Sequence, residues 1–561
     1  MAPRSPQSAL SSPASFHTAV QSDISPTTSA SSSAQRRPCA YSKSKPLPRE
    51  LKEHTQIFLE EQMYVPASQL LNSVLVAGKS RQNPTSRPVP IPPPSHIAFL
   101  TTLLVHPTQT TRPTKPEQVD VAAFALRYLR NLLRIVGPVE ANFRAAFQFY
   151  SAPRSNRRSF APVGNSSDVD SPAKDDDDDA DLLRGTMANQ GSLWRRGQNF
   201  WSTVGWAFNC STLYPMRWRF WKEWLQFMID TLEADWNERE RRDLEAQEQN
   251  GNDTPTNTSR NESIIVMYMN SDGNAQGGFK HIVKSLLADG GNLSSAAFRE
   301  VFDKELRGPR KESSKRKREE TTLDIENGNF GDYFDDDAFS SGASQPPTPE
   351  RQRDIRGSTF GATWPGLVES VDLRMRLFSL LSKATMVAGK RGELERLYEL
   401  FAASLKVIPL EFFAVIMAHH ATELPVDITI CKELFHLLLP ASYKDPSKID
   451  PANDAEGNIS SLMMEHCYMP YPANTISIED NARLSLVIEK ALLLLLSCDE
   501  LEYTDSFRDA AYTGIEARNT KVQKKRTGKS KPDAEDVSAQ NTLMSSGERL
   551  SILMGALSTQ T

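Results

Sequence analysis

The sequence predicts an all-α protein, an irregular α-solenoid of HEAT-like helix pairs interrupted by long disordered inserts. Three observations carry this. Apolar residues recur at three- and four-residue steps over most of the chain, without strand-type alternation. Pro or Gly punctuates successive runs, and helix pairs follow one another at roughly 40-residue spacing. Three polar stretches, rich in Ser, Pro and charge, cannot bury enough apolar area to order themselves. The alternative architecture is two separate helical bundles, split by residues 308–362.

Taken in order, residues 1–47 read as a disordered tail. Its Ser- and Arg-containing composition also fits a mitochondrial transit peptide, but Pro3, Pro6, Pro13 and Pro26 interrupt any amphipathic helix there. An N-terminal helical block spans 48–152. Leu51, Ile57, Phe58 and Met63 mark its first helix, and a second ends at Gly78. HIAFLTTLLVH follows a Pro-rich connector. Val121, Phe124, Leu126, Leu129, Leu132 and Leu133 then give a wide apolar face, and VEANFRAAFQFY reads as one more helix. Residues 153–190 are an acidic insert containing the run Asp175–Asp179.

A central block, 191–307, holds seven of the eight tryptophans, between Trp194 and Trp236. Pro215 suits a helix start, and Trp218, Trp221, Leu225, Met228 and Leu232 share one face. Residues 239–262 read as a second polar insert. SIIVMYMN fits a strand or a helix start equally well. FKHIVKSLLADGG reads as a helix, and so does SSAAFREVFDKEL, capped by Ser294 or Ser295. Residues 308–362 are the longest insert. The C-terminal block, 363–519, contains four helices in close order, a polar stretch from Ala441 to Thr475 and two more helices. Residues 520–561 read as a basic tail with a weak terminal helix.

Composition limits the function classes. Hydrophobic content is 39% and Pro is abundant at 36 residues, which fits folded blocks between inserts. With 65 basic and 70 acidic residues the net charge is −5, so only local patches could attract nucleic acid. Five scattered cysteines without CxxC spacing argue against a disulfide framework or a zinc ribbon and fit a reducing compartment. No apolar run approaches the ~18 residues that cross a bilayer, so no membrane association is expected. There is no phosphate-binding glycine loop and no nucleophile elbow. His419 and His420 are adjacent, which denies them a shared helix face, and His436 and His466 are isolated. No cofactor, metal or catalytic residue is expected.

Four local patterns point to interaction. Lys315, Arg316, Lys317 and Arg318 form a basic cluster of the kind an import receptor grips, and Lys524, Lys525 and Arg526 form a second. Ser171 and Thr348 each precede Pro, with a base at the third position after the hydroxyl residue, as cyclin-dependent kinases require. Phe330, Tyr333, Phe334 and Phe339 alternate with acids and could dock in a partner's groove. In the tryptophan window Arg195, Arg196, Arg217, Arg219 and Lys222 interleave with Trp218 and Trp221. That mixture suits a core helix, a protein groove or stacked single-stranded nucleic acid. Helical spacing puts Arg217 and Arg219 opposite Leu225, towards solvent, where the Asp175–Asp179 run could mask Arg195 and Arg217.

The resulting expectation is a nuclear, non-enzymatic scaffold or adaptor. It would assemble other proteins into a complex in chromosome maintenance or DNA repair, transcription or ribosome assembly. Direct nucleic-acid binding through residues 215–237 is the competing expectation. Composition and pattern leave oligomeric state and partner identity open.

Overall fold

The computed structural model describes residues 41–79, 88–149, 183–250, 257–271, 278–303, 305–306, 365–389, 392–419, 423–523 and 534–559. The expected all-α class holds, with one small addition. β1 (Ser44–Pro46) pairs in parallel with β2 (Val89–Ile91), Ser44 opposite Val89 and Pro46 opposite Ile91. Both strands come from Pro-containing stretches, and a two-stranded pair is all edge, where Pro is tolerated.

The N-terminal block comprises α1 (Arg49–Glu60), α2 (Tyr64–Lys79), α3 (Pro94–Val105), α4 (Val121–Ile135) and the single turn α5 (Phe143–Ala146). The predicted stripe of α4 is buried at Val121, Leu126, Leu129 and Leu132. Gly137 ends this segment in the left-handed region at φ 81°, and a Cβ there would lie 2.5 Å from the Tyr41 ring.

The central block holds α6 (Leu193–Arg196), α7 (Phe200–Leu213), α8 (Pro215–Asn250), α9 (Thr258–Asn261), α10 (Ile264–Asn270), α11 (Gly278–Leu286) and α12 (Asn292–Ala297). Asn199 caps α7, its side chain accepting from the Ser202 amide. Two expectations are corrected. Residues 239–250 are not an insert: α8 runs through them, supported by Arg239–Asp235, Arg242–Glu238 and Arg241–Glu245 at four-residue spacing. The helix expected over SSAAFREVFDKEL stops at Ala297. Phe298 turns extended and lays its ring on Gly205 of α7, where a Cβ would sit 2.5 Å from that ring. Val301, Phe302 and Glu305 then follow into the core. SIIVMYMN is helical, as α10.

The C-terminal block contains α13 (Pro365–Ala388), α14 (Glu393–Val407), α15 (Leu410–Ala418) and α16 (Leu424–Leu438). Three short helices follow, α17 (Pro446–Ile449), α18 (Pro451–Ala455) and α19 (Ser461–Met463), with one π-helical turn (Met464–Tyr468). The block closes with α20 (Ile478–Ser497), α21 (Asp505–Gln523) and α22 (Ala534–Ser558). The terminal helix is not weak. Ala539, Leu543, Ser546, Leu550, Met554 and Leu557 are buried at three- and four-residue steps, and α22 packs along α20 and α21.

Neighbouring contacts advance in chain order. The helix α2 packs on α4, α4 on α3, α3 on α8, α8 on α7 and α13, α14 on α16, α16 on α20, and α20 on α22. The apolar core is one cluster from Leu47 to Leu557. Because α13 packs on α7, α8 and α11, the blocks before and after residues 308–362 share that core, and two separate bundles are excluded.

Candidate functional site: the tryptophan window and its buried charges

The seven window tryptophans are core residues. None is more than 4% exposed, and Trp201, Trp221 and Trp224 are fully enclosed. Rings interlock: Trp194 stacks on Phe147 at 5.0 Å, Trp221 meets Trp224 edge-on at 5.5 Å, and Phe200 stacks on Tyr268 at 4.2 Å. Four of their indole N–H groups are used as ties, whereas those of Trp206 and Trp224 are buried without a hydrogen-bond partner among the described residues. Trp194 donates to the Ala98 carbonyl and Thr101, Trp201 to the Tyr268 carbonyl, Trp221 to Glu305 and Trp218 to Glu369.

Arg217 does not face solvent. It is 3% exposed, and its guanidinium closes a buried knot. Nε donates to Glu305 at 2.7 Å, Nη1 to Thr110 at 2.8 Å and Nη2 to the Val105 carbonyl at 2.7 Å. Glu305 also accepts from the Trp221 indole at 2.8 Å. The expectation failed because helical spacing fixes the angle between two side chains, not which elements cover the helix. Here Glu305 and the end of α3 cover the side that Leu225 leaves free. His106 lies beside this knot, its ring edge-on to Phe302 at 4.9 Å. Burial first, then the charges of Arg217 and Arg196, push its pKa down to about 4.

The remaining window residues are placed as follows. Arg195 and Arg219 are exposed. Arg196 is exposed and pairs with Asp303 at 2.6 Å, and Lys222 pairs with Glu369 at 3.0 Å. The sequence-based groups Lys315–Arg318, Lys524–Arg526, Ser171, Thr348, Phe330, Tyr333, Phe334, Phe339 and Asp175–Asp179 all lie outside the described residues, as does His420.

Arg217 is one case of a wider arrangement that sequence reasoning missed. A helix leaves its last carbonyls without internal partners and carries partial negative charge there. In this chain, cations from other elements fill those positions. Arg217 caps the end of α3. Arg374 of α13 donates to the carbonyls of Leu286 and Ala288 at the end of α11, while its guanidinium lies 4.0 Å from the Phe208 ring centre and 4.9 Å from that of Phe412. Arg483 and Lys490 of α20 cap α14 and α15 at Ile408 and His419. Arg518 of α21 donates to Met469 and Tyr471 after the π-helical turn. Lys406 reaches Leu437 near the end of α16.

Acids do the reverse at helix starts. Asp235 of α8 accepts from the Ile264 amide opening α10, and Asp243 accepts from the Ser259 and Arg260 amides of α9. Burial raises the Asp235 pKa despite Arg239 beside it. Burial likewise raises that of Asp427, which lies 3.5 Å from Lys490. A sequence cue for the cations did exist. Arg374 interrupts the apolar stripe Leu367, Val371, Phe378, Leu381, and Arg483 and Lys490 share a stripe with Val487 and Leu494.

Other candidate chemistry is dispersed. His419 lies 3.5 Å from Asp372, His436 bonds Tyr443, and His466 sits beside Glu465. Cys210, Cys431 and Cys467 are buried free thiols. Among the described residues no group of three His, Cys, Asp or Glu side chains could hold a metal ion. No described helix is long and apolar enough to cross a membrane. No known protein family matches the chain, and no curated protein matches it in sequence.

Proposed function

We propose that this chain is a non-enzymatic nuclear scaffold or adaptor subunit of a multiprotein complex. The complex would act in chromosome maintenance, transcription or ribosome assembly, and phosphorylation at Ser171 and Thr348 would tune partner choice. The observation that carries this reading is the use of buried cations and acids to fasten one helix end to another. Such joints give a solenoid of fixed shape, and a fixed helical surface is what a scaffold presents. The basic clusters at 315–318 and 524–526 support nuclear entry.

The competing reading, nucleic-acid binding through residues 215–237, loses its stacking platform, because Trp218 and Trp221 are enclosed and Arg217 is committed to Glu305. The test is affinity purification from nuclease-treated nuclear extract, with co-purifying proteins identified by mass spectrometry. A stoichiometric protein set that survives nuclease is expected. Loss of every partner on nuclease treatment would reject the scaffold reading.

A further inference from the structure

We infer that the outer face of α4 is a docking surface for an acidic helix of a partner protein. This deepens the scaffold reading and rests on it. Arg127, Arg130 and Arg134 recur along α4 at three- and four-residue steps and are all exposed, with Ala123 exposed one turn earlier in the same line. The opposite face, Ala125, Tyr128, Leu129 and Leu132, is core. Neither α4 nor α2, which packs beside it, contains a carboxylate. On the other side α8 contributes Glu223, 2.9 Å from Arg130, and the exposed Arg219 one turn before it. Of these four guanidiniums only that of Arg130 is paired with a carboxylate, and Asp120 lies at the start of α4, seven residues before Arg127.

Among the described residues, Arg127, Arg134 and Arg219 have no ion pair, and Arg219 only overlies the neighbouring Phe220 ring at 5.8 Å. The buried and half-buried arginines Arg217, Arg239, Arg374, Arg376 and Arg518, by contrast, are each engaged by carboxylates or carbonyls. In a chain of net charge −5, an arginine row with only its middle member paired is a local reversal of sign that a partner's carboxylates would complete.

The spacing favours a helix over nucleic acid. At 1.5 Å rise per residue, Arg127 and Arg134 are about 10.5 Å apart along the axis. A helix bearing acids at three- and four-residue steps repeats at that same interval. Laid alongside α4, it sets a carboxylate opposite each guanidinium. A duplex would need a broader positive field and a single strand exposed rings for stacking, and the window's rings are buried.

The test is fluorescence anisotropy, with the full chain titrated into a labelled helical peptide of about 16 residues carrying glutamates at those steps. A lysine-for-glutamate peptide and a single-stranded and a duplex oligonucleotide serve as comparisons. Binding of the glutamate peptide at low salt is expected, weakened about tenfold by Arg127→Glu with Arg134→Glu, with unchanged circular dichroism and melting. The same variant should acquire affinity for the lysine peptide. Arg127→Gln with Arg134→Gln provides the milder check, expected to weaken binding about threefold. Glutamate-peptide binding that is absent, or indifferent to both variants, would overturn the proposal. Oligonucleotide bound more tightly than peptide, with the same arginine dependence, would also overturn it by assigning the face to phosphodiesters. The scaffold reading is scored separately, by co-purification that survives nuclease, so the two can fail independently.

Discussion

Arg217 and Glu305, 88 positions apart, meet as an ion pair closed to solvent, with side chains 3% and 0% exposed. The pair fastens α8 to the segment that follows α12 and to the last carbonyl of α3. A buried pair of this kind is poor evidence of net stabilisation, but losing one partner leaves an uncompensated charge. Glu305→Gln should therefore lower unfolding stability by about 3–5 kcal/mol. Arg217→Met with Glu305→Gln should recover part of that loss, because the stranded guanidinium is gone. Urea denaturation of both variants measures this, and equal or greater destabilisation of the double variant would refute the role of the stranded charge.

His106 predicts a pH dependence. Its folded pKa is pushed down to about 4, while in the unfolded chain it protonates near 6.5. Between those values the unfolded state binds the additional proton, so this residue's contribution rises with pH. It is fully present above about 6.5 and is lost as pH falls towards 4. The loss is about 2–3 kcal/mol across that window. Urea denaturation at pH 6.5 and 4.5 should show a shallower decline in His106→Gln than in the parent chain. Identical slopes would remove His106 from the acid response.

Removing α22 by truncation after Gln523 tests the correction to the C-terminus. Leu543, Leu550, Met554 and Leu557 cover α20, and burying them contributes on the order of 10 kcal/mol. The shortened chain should aggregate or bind a hydrophobic dye at temperatures where the full chain does not. A truncated chain with unchanged melting would mean that this helix is dispensable.

The helical class was legible because α4, α13 and α20 carry apolar periodicity that no tertiary context needed to override. Chain-order packing was legible from Pro and Gly punctuation. The continuation of α8 past Trp236 was missed because residues 238–250 are almost wholly polar. Their helix is held by ion pairs along its own face and by its acids capping α9 and α10. The end of α12 at Ala297 was missed for the opposite reason, since its sequence is helical in pattern but Phe298 gains more by seating on Gly205. In the window, composition located the packing centre. Assigning Arg217 to solvent failed because a distant residue, Glu305, decides the matter.

Nuclear entry is tested by replacing Lys315, Arg316, Lys317, Arg318, Lys524, Lys525 and Arg526 with Ala. A fluorescently tagged chain carrying all seven changes should lose nuclear accumulation, read as the nuclear-to-cytoplasmic ratio. Persistence in the nucleus would discard both clusters as import determinants.

The tryptophan window is the packing centre and not a binding surface. This is tested most directly by acrylamide quenching of tryptophan fluorescence in a Trp364→Phe chain, which leaves only the seven window residues as emitters. Blue-shifted emission is expected, with weak quenching that rises steeply only when the chain unfolds in urea. Strong quenching of the native chain, relieved by added protein partner or oligonucleotide, would contradict it.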